Sequence, residues 1–258
     1  MPRMWYTVCI NTRGEIWLMK RTVMVWLLVL ALACACAAAS AEPGKLYLHY
    51  IGGDADYEEC ANNIPRNILL HHEDLQDKAE AFFVRAANKD YSNATAQKQL
   101  KFAEKNISPD GINVLIAYSH GGQSAFFMDM IADRITDVFL MDACVHIGGK
   151  TKDDKTKGTV WAQWIIDTAK LGVNVHLFAS IGKHNEPSGS KYAISALEER
   201  AAEDDSLVVL EEGRYQVLDD GGNPVAEIET GLLEGNHKTI CTDIEDHVAE
   251  YLYKLLGE

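Results

Sequence analysis

Positive charge is in short supply in this chain. Its 24 lysines and arginines face 38 aspartates and glutamates, for a formal net charge of -14. That deficit excludes general nucleic-acid binding, which needs a basic footprint, and docking on anionic membrane surfaces. Metal-binding patterns are missing as well. There is no H-E-x-x-H and no cysteine pair at zinc spacing, so His71-His72-Glu73-Asp74 reads as a solvated helix start. Asp219-Asp220-Gly221-Gly222-Asn223 has too few acidic ligands in the right places for a calcium loop. Gly149-Lys150-Thr151 ends like a phosphate-binding loop. The first glycine of that motif would fall at Cys144, however, and the charged run KDDKTKG follows where a helix should start. No internal repeat or low-complexity linker divides the chain. No metal, no cofactor and no nucleic-acid partner is therefore expected.

Cysteine is also scarce, and three of the six lie in residues 1–41, outside the predicted fold. Residues Met19 to Ala41 read MKRTVMVWLLVLALACACAAASA. Lys20 and Arg21 precede an apolar stretch from Val23 to Leu32, and Ala39-Ser40-Ala41 is a small-residue cleavage site. This is a secretory signal pattern, which predicts Glu42 as the mature start; residues 1–18 look unlike signal or domain, and a misassigned start with Met19 as the true one would account for them. A permanent anchor fits less well, because the run is near the lower length limit for a span and turns rich in Ala and Cys. Cys34 and Cys36 have poor surroundings for lipoprotein acylation. Removing residues 1–41 takes away four of the 24 basic and one of the 38 acidic residues, leaving about -17. Three cysteines remain, Cys60, Cys144 and Cys241. Export permits a disulfide, but an odd count leaves at least one thiol unpaired.

The remaining residues 42–258 are enough for a single domain with a full core, since 47% of the chain is hydrophobic. Apolar runs and helical spacings alternate along it. Strands are predicted at 45–51, 112–118, 137–143 and 173–180, and a further one at 66–72. Helices are predicted at 73–88, 95–105, 123–132, 159–171 and 192–202. A hairpin turns at Asp220-Gly221-Gly222. Thr242-Asp243-Ile244-Glu245 forms a capping box ahead of a terminal helix. This alternation predicts an α/β fold, a mostly parallel central sheet with helices on both faces.

In such folds ligands sit at the carboxyl ends of the strands. Ser119 falls at one, within Ala117-Tyr118-Ser119-His120-Gly121, between an apolar strand and a helix. Small residues two before and two after the serine let the backbones of a sharp corner approach closely. This is a nucleophile elbow with Ala in place of the first Gly of G-x-S-x-G. The chain here resembles the α/β-hydrolase family in its small secreted members, some of whose bacterial lipases also carry Ala at that place. The likeness spans residues 42–258 in element order, and only the elbow is specific.

The resemblance implies a serine, an acid and a histidine in that order. His237 lies just before the terminal helix, where the family's histidine falls. His247 reads as a helix-surface residue, His176 as a packed core histidine, and His184 as a loop residue able to line the site. Two strand ends offer the acid. Asp142 follows the strand after the elbow helix, the place used by pancreatic-type lipases. The commoner place reads Asn185, with Glu186 beside it, and Asn cannot carry the needed charge. Asp142 is preferred and Glu186 is the alternative acid. The oxyanion hole would use the His120 amide and one from the Gly52-Gly53 loop, which resembles the family's HGG loop with Ile51 in place of His. An ordinary Gly-Gly turn is the plainer reading of that loop.

Together these predict a secreted or periplasmic serine hydrolase, without a stable membrane span, that cleaves a small-molecule acyl bond, foremost a carboxylic ester. A non-catalytic binding protein of the same fold stays open, as does a peptidase or acyltransferase with the same triad. Lys150 to Gly158 reads as a polar loop near the site. Trp161 and Trp164 either line an acyl pocket or pack on the sheet.

Overall fold

Strands with apolar residues on both sides must be covered on both faces, and this chain covers them with helices. The computed structural model describes residues 44–53, 64–84, 90, 92–143, 154–181, 189–237, 239–240 and 244–257, without the side chains of 154, 155, 157 and 189. Cys60, Cys144, Cys241, His184, Asn185, Glu186, the leader and the phosphate-loop-like run lie outside them.

Eight strands make one sheet: β1 (Leu46–Ile51), β2 (Ala79–Val84), β3 (Ile112–Tyr118), β4 (Asp137–Met141), β5 (Asn174–Ser180), β6 (Leu207–Glu211), β7 (Arg214–Leu218) and β8 (Pro224–Leu233). Their order is β2-β1-β3-β4-β5-β8-β7-β6. The pairs from β2 through to β8 are parallel, while β7 runs antiparallel to both β8 and β6. The β7–β8 turn falls where predicted. Asp219 Oδ1 accepts from the Gly221 and Asn223 amides at 2.8 Å each, and Gly222 takes φ 77. Those acidic residues therefore serve a turn.

The helices are α1 (Ile64–His71), α2 (Glu73–Gln76), α3 (Asn93–Glu104), α4 (Gly121–Ala125), α5 (Asp154–Lys170), α6 (Gly189–Ala201) and α7 (Glu245–Leu255), with a 3₁₀ turn at Met128–Arg134. Side chains alternate across the sheet. Leu115, Ala117, Val138, Leu140, Val175 and Leu177 point into a core covered by α3, α5 and α6. Leu48, Tyr50, Val114, Ile116, Phe139 and Met141 point the other way, under α1 and α7. The result is a three-layer α/β fold. Trp161 is buried in the first core, edge-on to Phe126 and Trp164, so the tryptophans pack.

Several predicted elements differ. Residues 66–72 are not a strand: all but His72 lie in α1, whose buried Ile64 and Ile68 lie four apart. Pro65 sits in the first turn, where its missing N–H costs no helical bond. Within the predicted helix 73–88, the described residues 73–84 are one helical turn, α2, followed by β2, paired in parallel with β1 from Leu46↔Ala79 to Ile51↔Val84. Ala79, Phe82 and Phe83 suit either period, and pairing with β1 decides between them. The elbow helix is short and breaks into the 3₁₀ turn. Helix α5 begins at Asp154, so the second half of the predicted polar loop is helical. The terminal helix is flanked by Ile244 with no side-chain cap, and Glu245 pairs with His71 across the face; Thr242 lies outside the described residues.

A buried charged group ties α7 to the sheet. His176, 2% exposed, pairs through Nδ1 with Glu229 Oε2 at 2.8 Å and faces Asp137 Oδ1 at 3.4 Å. Asp137 also accepts from Tyr251 Oη at 2.9 Å and Asn174 Nδ2 at 3.0 Å, and His247 lies 3.3 Å from Glu229. Phe139 stacks on the imidazole at 4.3 Å. Burial opposes charge on His176, but the two carboxylates outweigh it and raise its pKa above the ordinary 6.5. Burial also pushes Asp137 up, yet His176 brings it below its ordinary value. Hydrogen bonds from His176 and then His247 hold Glu229 well below the usual carboxylate range.

A raised histidine stabilises fully below its unfolded value of about 6.5, and the gain is lost as pH climbs through the folded value. The depressed carboxylates act at the acid end, losing their contribution as pH falls through their folded values. The gap in unfolding free energy between wild type and His176→Gln should thus be widest near about pH 6 and narrow in alkali. Urea titrations at several pH values would measure it, and a constant gap contradicts the network's role.

Candidate active site

The strand order sets the place. From β1 the chain crosses to β2 on one side, whereas β3, β4 and β5 progress the other way. The reversal lies between the carboxyl ends of β1 and β3, the position where open α/β sheets form a crevice. Gly52-Gly53 leaves the first of these strands and Ser119 the second.

Ser119 sits between β3 and α4 with φ 52, a left-handed backbone unusual for a residue with a Cβ. Its amide donates to the Met141 carbonyl at 3.1 Å, and its carbonyl accepts from Gly122 at 3.0 Å. The corner is therefore bonded to β4 on one side and to the helix on the other. The need for small residues is visible in distances. A Cβ on Gly121 would stand 2.1 Å from the Ile51 carbonyl oxygen, and Ala117 is fully buried. A Cβ on Gly53 would stand 2.7 Å from Ser119 Cβ and 3.1 Å from its Oγ. The Gly52-Gly53 loop thus lies against the serine itself, with both glycines buried.

Asp142 follows β4 with φ 42 and is 1% exposed. Its amide donates to Phe178 O at 2.8 Å, which extends the β4–β5 pairing past the strand end. Ser180, at the end of β5, holds the carboxylate: its amide donates to Oδ1 at 2.9 Å and its hydroxyl to Oδ2. His237 comes from the turn after β8. This turn is closed by bonds from the Asn236 amide to Thr239 Oγ1 and from the Ile240 amide to Asn236 O, each 3.0 Å, and Ile240 is fully buried.

These pieces bring together residues 118 and 95 positions apart. His237 Nε2 lies 2.9 Å from Ser119 Oγ, and His237 Nδ1 lies 3.1 Å from Asp142 Oδ2. The side chain of His237 is 17% exposed and that of Asp142 2%. A carboxylate only accepts, so Nδ1 carries the proton toward Asp142, and the lone pair of Nε2 is left to face the serine hydroxyl.

Of the other residues singled out in the sequence, His120 follows Ser119 and flanks α4, and Glu186 lies outside the described residues. His176 is packed under Phe139, and His247 is a partly exposed residue of α7 that reaches Glu229 and Phe178 of the sheet. Ser180 and Tyr118 were not singled out. No spacing rule marks Ser180, but its place at the next strand end beside Asp142 would have. Among the described residues no group of three or more His, Cys, Asp or Glu side chains is placed to hold a metal ion.

The three-layer α/β architecture thus brings a serine with a left-handed backbone, a histidine and a buried carboxylate together at the carboxyl ends of the strands. No family model matches the sequence, and no curated protein matches it. Similar solved structures include the esterase domain of a Rhodothermus marinus protein, 10% identical, covering 84% of this chain and 89% of that one, TM-score 0.46. A serine hydrolase involved in carbazole degradation is 11% identical, covers 84% and 92%, and has a TM-score of 0.44. The NocB thioesterase domain, solved with a fluorophosphonate nocardicin G analog, is 13% identical, covers 83% and 96%, and has a TM-score of 0.41. Likeness at these values says nothing about chemistry, which rests on the side chains.

Proposed function

We propose that this chain is a secreted serine hydrolase that cleaves an acyl bond, foremost a carboxylic ester. The observation that carries the reading is the pair of contacts on His237, 2.9 Å to Ser119 Oγ and 3.1 Å to Asp142 Oδ2. Ser119 attacks the acyl carbonyl as His237 Nε2 takes its proton. Asp142 fixes the tautomer and balances the imidazolium. The tetrahedral oxyanion is met by the His120 amide and by an amide of the Gly52-Gly53 loop, which the missing Cβ atoms allow close to the serine. Imidazolium returns the proton to the leaving oxygen, and an acyl-enzyme remains. Water, deprotonated by the same histidine, releases the acid.

A non-catalytic binding module would be favoured by a buried Ser119 with no histidine beside it. The proximity of His237 supports catalysis instead. Secretion rests on the sequence of residues 19–41 alone. Among the described residues no helix is long and apolar enough to cross a membrane.

A fluorophosphonate probe, followed by peptide mapping, is expected to modify Ser119 and to abolish turnover in proportion. A panel of p-nitrophenyl esters, peptide anilides and acyl acceptors then separates esterase from peptidase and acyltransferase. Ester turnover that survives full labelling, or labelling elsewhere, would refute the assignment.

A further inference from the structure

Tyr118 takes no part in the acyl transfer as just derived, yet it touches His237 and borders the glycine loop beside Ser119. It is the last residue of β3, and strand alternation sends Val114, Ile116 and Tyr118 to the face under α1 and α7. His237 follows β8, and Ile240 of the same turn is buried in the core of that same face. The Tyr118 hydroxyl donates to the His237 carbonyl oxygen, which pins the backbone of the turn. The Tyr118 ring lies alongside the imidazole, with centroids 5.0 Å apart and planes at 22°, which limits rotation of the histidine. A Cβ on Gly53 would stand 3.4 Å from Tyr118 Cδ1, so the ring also borders the glycine loop. Tyr118 is fully buried, and its own position is set by the core.

On the reading of Ser119 and His237 as nucleophile and base, we propose that Tyr118 is the positioning residue of this site. It holds the imidazole so that Nε2 points at Ser119 Oγ and Nδ1 at Asp142. The bond to the His237 carbonyl sets the height of the turn, and the stacked ring sets the angle of the imidazole. The ring face also lies beside the positive charge that the imidazole acquires with the serine proton. A residue that acts on the base and leaves the substrate alone should affect kcat and spare KM.

The test compares Tyr118→Phe and Tyr118→Leu with Ser119→Ala, using p-nitrophenyl acetate and normalising to folded protein. Tyr118→Phe keeps the ring and loses the hydroxyl, and kcat should fall about 10-fold with KM unchanged. Tyr118→Leu loses both contacts, and kcat should fall about 100-fold, the scale of an ångström-sized misplacement. Phenylalanine thereby rescues part of what leucine loses. The rate of fluorophosphonate labelling should fall in the same order, since the same base activates the serine. If Tyr118→Phe retains wild-type kcat, or either loss is confined to KM, the positioning role is overturned, and the Phe comparison decides even where the Leu variant does not fold. If Ser119→Ala still hydrolyses the ester, the underlying triad reading fails and the proposal fails with it. Dependence on Ser119 with indifferent Tyr118 variants overturns the positioning role alone.

Discussion

Ser119→Gly is expected to be inactive and yet more stable than Ser119→Ala. Both changes remove the hydroxyl, and loss of a serine nucleophile lowers kcat on the order of 10⁶-fold where oxyanion donors and binding remain. The two differ in the backbone. Ser119 holds φ 52, where a Cβ is crowded against the carbonyl and glycine is not. Alanine keeps that strain, and glycine removes it at some entropic cost. The glycine variant should gain about 1 kcal/mol over the alanine variant. Chemical denaturation of both, beside an ester assay, tests the two halves separately. Equal stabilities would mean the corner is not strained; retained hydrolysis would mean Ser119 is not the nucleophile.

Asp142→Asn should fold normally and lose about 10⁴-fold in kcat. Asp142 also has a left-handed backbone, φ 42, and asparagine is among the residues that tolerate it best. The Ser180 amide still finds an oxygen to donate to. The amide NH₂ then faces His237 Nδ1 and requires that nitrogen to accept. The ring proton moves to Nε2, which can no longer take the proton of Ser119 Oγ 2.9 Å away. Glu186→Gln should cost little. A reversed result, with Glu186→Gln inactive and Asp142→Asn near wild type, would move the acid to the β5 loop. Two indifferent variants would remove the triad altogether.

What the sequence reveals of this site depends on how local the cause is. The corner at Ser119 is legible because its constraint is steric and lies within five residues, Ala117 to Gly121. The sheet is legible where strands are apolar throughout, as in β3 and β4. It is not legible at residues 79–84, where Ala79, Phe82 and Phe83 satisfy two periods and only the neighbour β1 chooses. The acid was divided between Asp142 and Glu186 because both follow strands, and the sequence does not say which carboxylate meets an imidazole 95 residues away. Tyr118 was readable in principle. Its parity along β3 assigns it to the face of the terminal helix, and the predicted histidine lies just before that helix.

The order of strands in space also has a bearing on synthesis. Strand β8 lies between β5 and β7, so the hairpin β6–β7 attaches to the sheet only through a strand made after it. His237 follows β8 in the chain. If Ser119, Asp142 and His237 act together as proposed, a polypeptide still emerging from the ribosome carries its serine and its carboxylate long before its histidine, and it stays inert until β8 has joined the sheet. On that reading hydrolysis requires nearly the whole chain to be made and folded, and a chain shortened ahead of His237 should be lost as a catalyst even if its first five strands form.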